Sequence, residues 1–545
     1  MVIDWVEWGE GAFARARALG KPLLLSLAAR WCHACRRMDE ETWEDPGVAA
    51  AVERATVPVR VDADARPDIY GRYHLGGLPT TALLTPDGEF VRGGTFLSPS
   101  QFFAFLETAL ADFRSGRLPA PRAPLSAAPT GNLVGEVIAR LVRRIDPEHG
   151  GFGVAPKQPE VQALRLLLRR WRSSRDVTIE RAVRLALDAI VAHLSDPRDG
   201  GFFRYAAAED WSGPHTEKVA LDQAQLAALL LEAGSALGAR RHIESALDTL
   251  AHASRRLADE SGRVFASVAA DPAYYAGAQA PDDPPAVDQR RFADSGAAMV
   301  GAGWLAFALT GEPPPFQPEF RLAAPGGCVP HRLDERDGIT GLLSDQALAV
   351  AATLMEYRLS GAPRLLDWAV LAADWSVEHL WDEAAGAFRA TPAAPGDAVM
   401  LPPIHPLVAN GEMALALIDL AAHAGRAEYE RYAERLIGAL GRQARVSPAG
   451  PAVALVAQRM EDKAAEADLE GEAGDARTAR LARAVVAAIG PTVTVRWRGG
   501  ARPRLTLCVR DLCLPVIEEP QELGRSLIDL DLAPSGILAF TRAWS

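Results

Sequence analysis

The sequence predicts a multidomain protein in which an α/β layer precedes an all-α toroid of helical hairpins and a small β-containing segment. Helix and strand signals alternate up to about residue 113, apolar helices dominate up to about residue 490, and β-like runs follow. At 545 residues the chain is too long for one ordinary domain. The predicted boundaries are 1–113 for the α/β domain, 114–132 for a linker, 133–490 for the toroid and 491–545 for the C-terminal segment.

Four elements define the N-terminal layer. The apolar run "KPLLLSLAA" (21–29) and "TVPVRVD" (56–62) predict two buried strands. The stretch 80–94 predicts a hairpin that turns at Pro86-Asp87-Gly88, and 98–113 predicts a capped amphipathic helix. This order of elements is typical of a thioredoxin-like layer.

The toroid is predicted from an internal repeat. Four apolar segments begin at Asp222, Asp294, Asp345 and Asn410, and each closes on a glycine. We expect the polar residue to cap each helix and the glycine to take the left-handed C-terminal position. Because these helices are apolar nearly all round, they form the inner set, and the arginine-rich helices between them form the outer set. The irregular spacing of the repeat favours a closed (α/α)6 barrel over an open α-solenoid.

Composition excludes several classes of protein. Five cysteines, an odd number, do not form a secreted disulfide framework. The net charge of −12 argues against a nucleic-acid surface. The first residues have no basic n-region or apolar h-region, and no uncharged stretch reaches about 18 residues. We therefore expect a cytoplasmic protein that binds neither nucleic acid nor membrane.

The stretch "RWCHACRRM" (30–38) places Cys32 and Cys35 three residues apart, where a buried strand gives way to a helix. The start of a helix favours a thiolate, and a second cysteine one turn later can resolve a mixed disulfide. A zinc site would need two further ligands at suitable spacing, and two inert buried thiols are the third alternative. The redox interpretation adds Trp31, His33 and a cis-proline at Pro79 as supporting residues and needs no cofactor or metal.

Polar residues also collect at the mouths of the predicted inner helices. The stretch "DWSGPHTEKVALD" (210–222) is the densest cluster. The predicted pocket residues are Lys157, Trp211, His215, Glu217, Lys218, Asp222, His405 and Asn410. Two histidines, His215 and His405, could act as bases on opposite faces of a sugar, whereas a glycosidase would need two opposed carboxylates. The structural alternative is that these residues cap helices and stabilise loops.

The C-terminal β-like run "CVRDLC" carries Cys508 and Cys513. A turn at Arg510-Asp511 would bring the two thiols together, and a disulfide that exchanges with the first pair is one alternative. Buried packing thiols are the favoured one. Cys328 is isolated.

Several stretches together resemble a known family. "CHAC", "VDADARPDIY", "GLPTTALLTPDG", "DPEHGGFGVAPK", "GGFFRYAAAEDWSGPHTEK" and "CVRDLCLPV" are similar to the DUF255 proteins typified by spermatogenesis-associated protein 20. The resemblance implies a thioredoxin-like domain followed by a six-hairpin barrel like that of N-acylglucosamine 2-epimerase. It places Cys32, Cys35 and Pro79 in the thioredoxin-like site. It also implies that Ser26 stands where thioredoxins keep a buried acid, and Arg36 where the family usually has histidine.

Three functional hypotheses follow. The first is a thiol–disulfide oxidoreductase or redox sensor whose toroid binds a protein partner or a small molecule such as a sugar. The second is a carbohydrate-active epimerase or isomerase with a thioredoxin-like appendage. The third is a non-catalytic scaffold.

Overall fold

The computed structural model describes residues 2–119, 125, 131–276, 282–335, 338–392, 401–462, 464–509 and 512–529. The chain forms two compact units. The first comprises Met1–Pro124, Ala269–Asp288 and Arg389–Pro406. The second comprises Leu125–Val268, Gln289–Phe388 and Leu407–Ser545.

This division differs from the predicted boundaries, because two stretches inside the range 133–490 pack with the N-terminal residues. The backbone of Ala270 binds Trp31, and the Pro402 carbonyl accepts a hydrogen bond from Arg72 at 2.9 Å. Of the predicted linker, residues 120–124 and 126–130 lie outside the described residues.

The N-terminal part of the first unit alternates helices and strands, as predicted. Its helices are α1 (Glu10–Leu19), α2 (His33–Met38), α3 (Pro46–Ala55), α4 (Pro67–Tyr73) and α5 (Pro99–Arg114), and a π-helical turn, Asp39–Trp43, continues α2. Its strands are β1 (Leu23–Ala28), β2 (Val57–Asp62), β3 (Thr80–Leu84) and β4 (Phe90–Gly94). The predicted cap of α5 is present, since Ser98 and Gln101 form a capping box.

The four strands form one sheet in the order β2-β1-β3-β4. Strand β1 is parallel to β2 and antiparallel to β3, and β3 is antiparallel to β4. All six residues of β1 are buried, because a central strand has a hydrophobic cluster on each face. This arrangement is the thioredoxin-like layer that the sequence predicts.

Within the described residues of the second unit, twelve helices form the toroid. They are α6 (Leu133–Arg144), α7 (Val161–Ser174), α8 (Val177–Leu194), α9 (Ala220–Leu237), α10 (Arg240–Arg256), α11 (Ala293–Thr310), α12 (Glu319–Ala323), α13 (Leu343–Ser360), α14 (Pro363–Leu380), α15 (Leu407–Ala424), α16 (Glu430–Ala444) and α17 (Gly450–Glu461). A 3-10 turn, Ala427–Tyr429, precedes α16. The loops of this unit contain the two-residue strands β5 (Tyr205–Ala206), β6 (Pro214–His215), β7 (Lys218–Val219), β8 (Ser267–Val268), β10 (Trp381–Asp382) and β11 (Ala387–Phe388), whereas β9 (Val287–Asp288) belongs to the first unit.

The odd-numbered helices from α7 to α17 form a closed inner ring. Each contacts the next, and α17 contacts α7. The even-numbered helices pack outside them, so the predicted (α/α)6 toroid is confirmed. Helix α15 is long and apolar enough to span a membrane by length and composition, and 61% of its 18-residue window is buried within the protein.

For the inner helices, the predicted C-terminal ends are confirmed, whereas the predicted N-caps are wrong. Glycines follow α9, α11, α13 and α15 at positive φ, as expected. The predicted N-caps Asp222, Asp294 and Asp345 instead lie within the first turn, because apolar residues that pack into the ring begin each helix earlier.

The C-terminal part of the second unit covers the end of the ring where the inner helices terminate. It contains β12 (Glu466–Glu470), α18 (Ala476–Ile489), β13 (Thr494–Arg498), β14 (Arg504–Val509), β15 (Leu512–Cys513) and α19 (Pro520–Asp529). The strands form one sheet in the order β13-β12-β14-β15, so the sheet begins before residue 491. Helix α18 packs on α9, α11 and α13, and Arg483 binds the Phe307 carbonyl near the end of α11 at 3.1 Å.

Candidate functional site

Cys32 and Cys35 form a disulfide at the junction between β1 and α2. Cys32 is the N-cap residue of α2, and Cys35 lies one turn later, with the two Cα atoms 5.3 Å apart. Their exposed fractions are only 5% and 3%. The structure therefore brings the predicted redox pair together and places it close beneath the protein surface.

The surroundings of the pair favour a thiolate on Cys32 when the disulfide is reduced. The Cys32 Sγ atom accepts a hydrogen bond from the Cys35 backbone N–H at 3.1 Å. A backbone donor and a nearby guanidinium both stabilise negative charge on sulfur. Arg36, the residue after Cys35, lines the same cleft as both cysteines.

A cleft of about 410 Å³ opens beside the disulfide. Its lining residues are Ala28, Ala29, Arg30, Cys32, Cys35, Arg36, Asp39, Arg60, Val61 and Asp62. Arg60 donates to Asp39 at 2.6 Å. Ser26 is buried and pairs in register with Arg60, so the arginine of this charged pair lies on the strand next to Ser26.

The three predicted supporting residues are all near the strand ends of this sheet. The Trp31 indole is buried and donates to both carboxylate oxygens of Asp64 at 3.0 and 3.1 Å. His33 is half-buried at the start of α2. The Leu78–Pro79 peptide bond is cis and leads directly into β3.

A segment from far along the chain contacts the redox pair's immediate neighbours. The Ala270 N–H donates to the Trp31 carbonyl at 3.1 Å. The Ala270 carbonyl accepts a hydrogen bond from the Arg36 guanidinium at 2.8 Å. Both backbone groups of one residue are thus held by the two residues that flank the Cys-x-x-Cys stretch on either side. Sequence reasoning missed this contact. The one signal in the sequence was Arg36, which stands where the family usually has histidine.

In the second unit, Lys157 and Lys218 are fully buried and bind loop residues. Lys157 donates to Asp146 at 2.6 Å and to the Gly150 and Gly153 carbonyls at 3.0 and 2.9 Å. Lys218 makes the equivalent pair with Asp196 and binds the Gly200 carbonyl at 2.7 Å. The repeated Asp-x-x-x-Gly-Gly loops are therefore held by buried lysines, which favours the structural alternative.

The pKa of Asp146 reflects this environment. Burial alone would raise the pKa, but the hydrogen bonds from Lys157 and from two backbone amides outweigh it and lower the pKa to about 2. Asp146 is therefore ionised at neutral pH and pairs with the lysine charge.

Two more predicted pocket residues also support loops. The Trp211 indole is buried, donates to the His149 carbonyl at 2.9 Å and packs on Gly151. The buried Asn410 amide accepts from the Phe388 N–H at 2.8 Å and donates to its carbonyl at 2.9 Å. The side-chain amide thus makes the two hydrogen bonds that a neighbouring strand would otherwise make with the loop backbone.

The remaining predicted pocket residues are distributed between the two units. His215 is half-buried and stacks on Tyr205 with ring centroids 4.1 Å apart, and burial together with the Arg204 charge lowers its pKa. Asp222 accepts a hydrogen bond from Arg204 at 3.0 Å. Glu217 is buried close to Tyr205. Burial raises the pKa of the Tyr205 hydroxyl, and the charge of Glu217 raises it further. His405 belongs to the stretch that packs with the first unit, so the predicted pair of histidine bases falls in two different units.

The structure reveals an acid–histidine cluster in the ring that sequence reasoning did not assemble. The buried His331 Nδ1 atom lies 3.0 Å from the Asp345 carboxylate, and Asp294 brings a carboxylate oxygen within 4.8 Å of both groups. Nearby, Glu412 accepts from Gln162 at 3.2 Å. Burial raises the pKa of Glu412 to about 7, with the Arg165 charge opposing and the Asp294 charge adding to the increase. The signal for this cluster in the sequence was the pair of aspartates, Asp294 and Asp345, near the starts of two predicted inner helices.

Comparison with known proteins agrees with the N-terminal fold. Residues 1–110 match the family model described as "Protein of unknown function, DUF255". Human spermatogenesis-associated protein 20 is 30% identical over 310 residues, which cover 49% of this chain and 39% of that protein. The thiol:disulfide interchange protein DsbD of Cronobacter sakazakii is 33% identical over 84 residues, which cover 15% of each chain.

Among solved structures, a sugar epimerase from a ruminal bacterium superposes with a TM-score of 0.46 at 12% identity, covering 56% of this chain and 85% of that one. The matched region spans about two fifths of the length of the human relative. Residues 1–110 are thus a DUF255 thioredoxin-like domain, and the chain is similar to spermatogenesis-associated protein 20 over about half of its length, as the sequence motifs predicted.

Proposed function

We propose that the protein is a thiol–disulfide oxidoreductase whose reactive group is the Cys32–Cys35 pair. The observation that carries the proposal is the disulfide itself, placed at the strand-to-helix junction of a thioredoxin-like sheet and beside a cleft. The cleft gives a substrate sulfur a route to the pair, and its arginines favour the thiolate that attacks. A structural disulfide would need neither feature.

The proposed reaction begins with the reduced pair. The Cys32 thiolate attacks a substrate disulfide and forms a mixed disulfide, and one substrate sulfur leaves as a thiolate. The Cys35 thiolate then attacks the Cys32 sulfur, which re-forms the Cys32–Cys35 disulfide and releases the second substrate thiolate. The substrate gains two electrons, and a dithiol reductant must return two electrons to the protein before the next cycle.

The second step needs an acceptor for the Cys35 proton. Ser26 offers no carboxylate, whereas Asp39 follows Cys35 by one helical turn and lines the same cleft. We assign proton acceptance to Asp39, which Arg60 holds in place. Asp39→Asn should slow resolution of the mixed disulfide, whereas Glu41→Gln, which alters a carboxylate paired with Arg37 outside the cleft, should not.

Reduction of insulin by the full chain, with dithiothreitol as the reductant, tests the proposal. Wild-type protein should accelerate insulin precipitation, and Cys32→Ser should abolish the acceleration. Cys328→Ser, at a half-buried free cysteine, is the matched control and should retain it. If wild type and Cys32→Ser give the same rate, the oxidoreductase proposal is wrong.

The substrate and the cellular location remain predictions. The proposed partner is a protein that carries a thiol or a disulfide, or a small molecule, and the proposed location is the cytoplasm. No further cofactor enters the proposed reaction, since the electrons travel through the cysteines.

A second candidate function is acid–base catalysis on a small polar ligand, such as a sugar, inside the ring. It is favoured by Glu412 of α15, which accepts a hydrogen bond from Gln162 of α7, another helix of the inner ring, and has a pKa near neutrality because of burial. A thermal-shift screen of sugars on the full chain tests it. A ligand at 100 times its dissociation constant should add about 2.7 kcal/mol to the free energy of unfolding, and the gain should disappear in Glu412→Ala. No shift with any sugar would leave the ring as a scaffold.

A further inference from the structure

A second disulfide joins Cys508 and Cys513 at the edge of the C-terminal sheet. The two residues lie directly opposite each other on the antiparallel strands β14 and β15. Cys513 is exposed and Cys508 is half-buried, in contrast to the nearly buried Cys32 and Cys35. The favoured prediction of buried packing thiols is therefore wrong, because the two sulfurs are bonded to each other and Cys513 lies on the exposed edge strand. The predicted turn at Arg510-Asp511 lies outside the described residues.

The disulfide is open to attack from two directions. Cys513 faces solvent on a strand of only two residues. Cys508 lines a cavity of about 440 Å³. The fully buried Thr494 also lines this cavity, and its hydroxyl has no hydrogen-bond partner among the described residues. An unpartnered buried hydroxyl is costly unless a ligand or water binds it, so the cavity is suited to a small polar molecule next to the sulfur.

The surrounding hairpin does not depend on the disulfide alone. The Leu514 N–H donates to the Leu507 carbonyl at 2.8 Å, and Leu505 and Ile517 exchange two backbone hydrogen bonds of 2.9 Å each. These contacts lie beyond the cysteines along both strands. The sulfurs can therefore separate while the base of the hairpin stays paired.

We propose that Cys508–Cys513 is a second redox-active site, which small dithiols reduce directly and ahead of Cys32–Cys35. One thiolate of the dithiol attacks the Cys513 sulfur, forms a mixed disulfide and displaces the Cys508 thiolate. The second thiolate of the reagent attacks its own mixed-disulfide sulfur and releases the Cys513 thiolate. The reagent ends as a cyclic disulfide, and the two cysteines have gained two electrons.

Timed reduction of the native, oxidised full chain by dithiothreitol tests this proposal. Newly formed thiols are trapped with N-ethylmaleimide, and peptide mass spectrometry follows each pair separately. Because exchange rates depend on access to the attacked sulfur, Cys508 and Cys513 should be labelled at least roughly tenfold faster than Cys32 and Cys35. Labelling of Cys508 and Cys513 that appears only at denaturant concentrations that unfold the chain would overturn the proposal.

The same measurement on the double variant Cys32→Ser/Cys35→Ser separates the two sites. Unchanged reduction of the C-terminal pair would establish it as a redox site in its own right, whatever the outcome for insulin. Loss of its reduction in this variant would overturn direct attack by the dithiol. Circular dichroism of the variant checks that it is folded.

Discussion

Replacing Arg36 with alanine is expected to free residues 269–276 from the redox pair. The guanidinium donates to the Ala270 carbonyl at 2.8 Å, while the Ala270 N–H donates to Trp31. A hydrogen bond from a charged donor contributes about 1.5–3 kcal/mol, but Arg36 is exposed, so solvent reduces the contribution to about 1 kcal/mol. That free energy corresponds to roughly a fivefold increase in the population of the open segment.

Hydrogen exchange of the 269–276 peptide in the full chain measures this opening. The exchange rate of a protected amide follows the opening equilibrium, so the amide of Ala270 should exchange roughly five times faster in Arg36→Ala, by the same 1 kcal/mol estimate. Arg37→Ala is the matched control, because Arg37 is a neighbouring exposed arginine of α2 that pairs with Glu41. Equal exchange in the two variants would refute the inference that Arg36 holds the segment.

Three further changes test other parts of the structure. Lys218→Met leaves a buried carboxylate unpaired and should lower the free energy of unfolding by about 3–5 kcal/mol in a urea titration, whereas Arg240→Ala, at an exposed pair, should cost less than about 1 kcal/mol. The folded pKa of Glu412, about 7, lies above its ordinary value of 4.5, so stability should fall by about 3 kcal/mol as pH rises from 4.5 through 7, and Glu412→Gln should remove that slope. Gly361→Ala should destabilise the ring by about 2–4 kcal/mol because its Cβ would overlap a tryptophan ring at positive φ, whereas Gly425→Ala, also at positive φ but in open space, should cost about 1–2 kcal/mol by thermal unfolding.

Local pattern was sufficient to predict the N-terminal sheet and the ring. Strand β1 is apolar except for Ser26 because it is buried on both faces, and the closing glycines follow from the left-handed backbone that ends each inner helix. The spacing of Cys32 and Cys35 likewise predicts that both lie on one face of a helical turn. These features depend on residues close together in sequence.

Contacts between residues that are distant in sequence could not be predicted from local sequence patterns. Nothing in the composition of residues 269–288 indicates that Ala270 packs near Trp31, because the interaction uses backbone groups that every residue possesses. The buried lysines resembled pocket residues for a related reason: their carboxylate partners precede them by 11 and 22 residues. Burial of an ion pair is a property of the folded loop and leaves no periodic signature.

Because Ala270 binds next to the redox pair, the surroundings of the two cysteines include residues from far outside the N-terminal domain. Ala270 follows Arg36 by 234 residues, so a fragment that stops near residue 113 would leave the Trp31 carbonyl and the Arg36 side chain hydrated. Insertions or deletions in the loop between α10 and α11 would change the contacts of the residues next to the two cysteines. Mutations in that loop are therefore expected to alter the thiol chemistry of the first hundred residues.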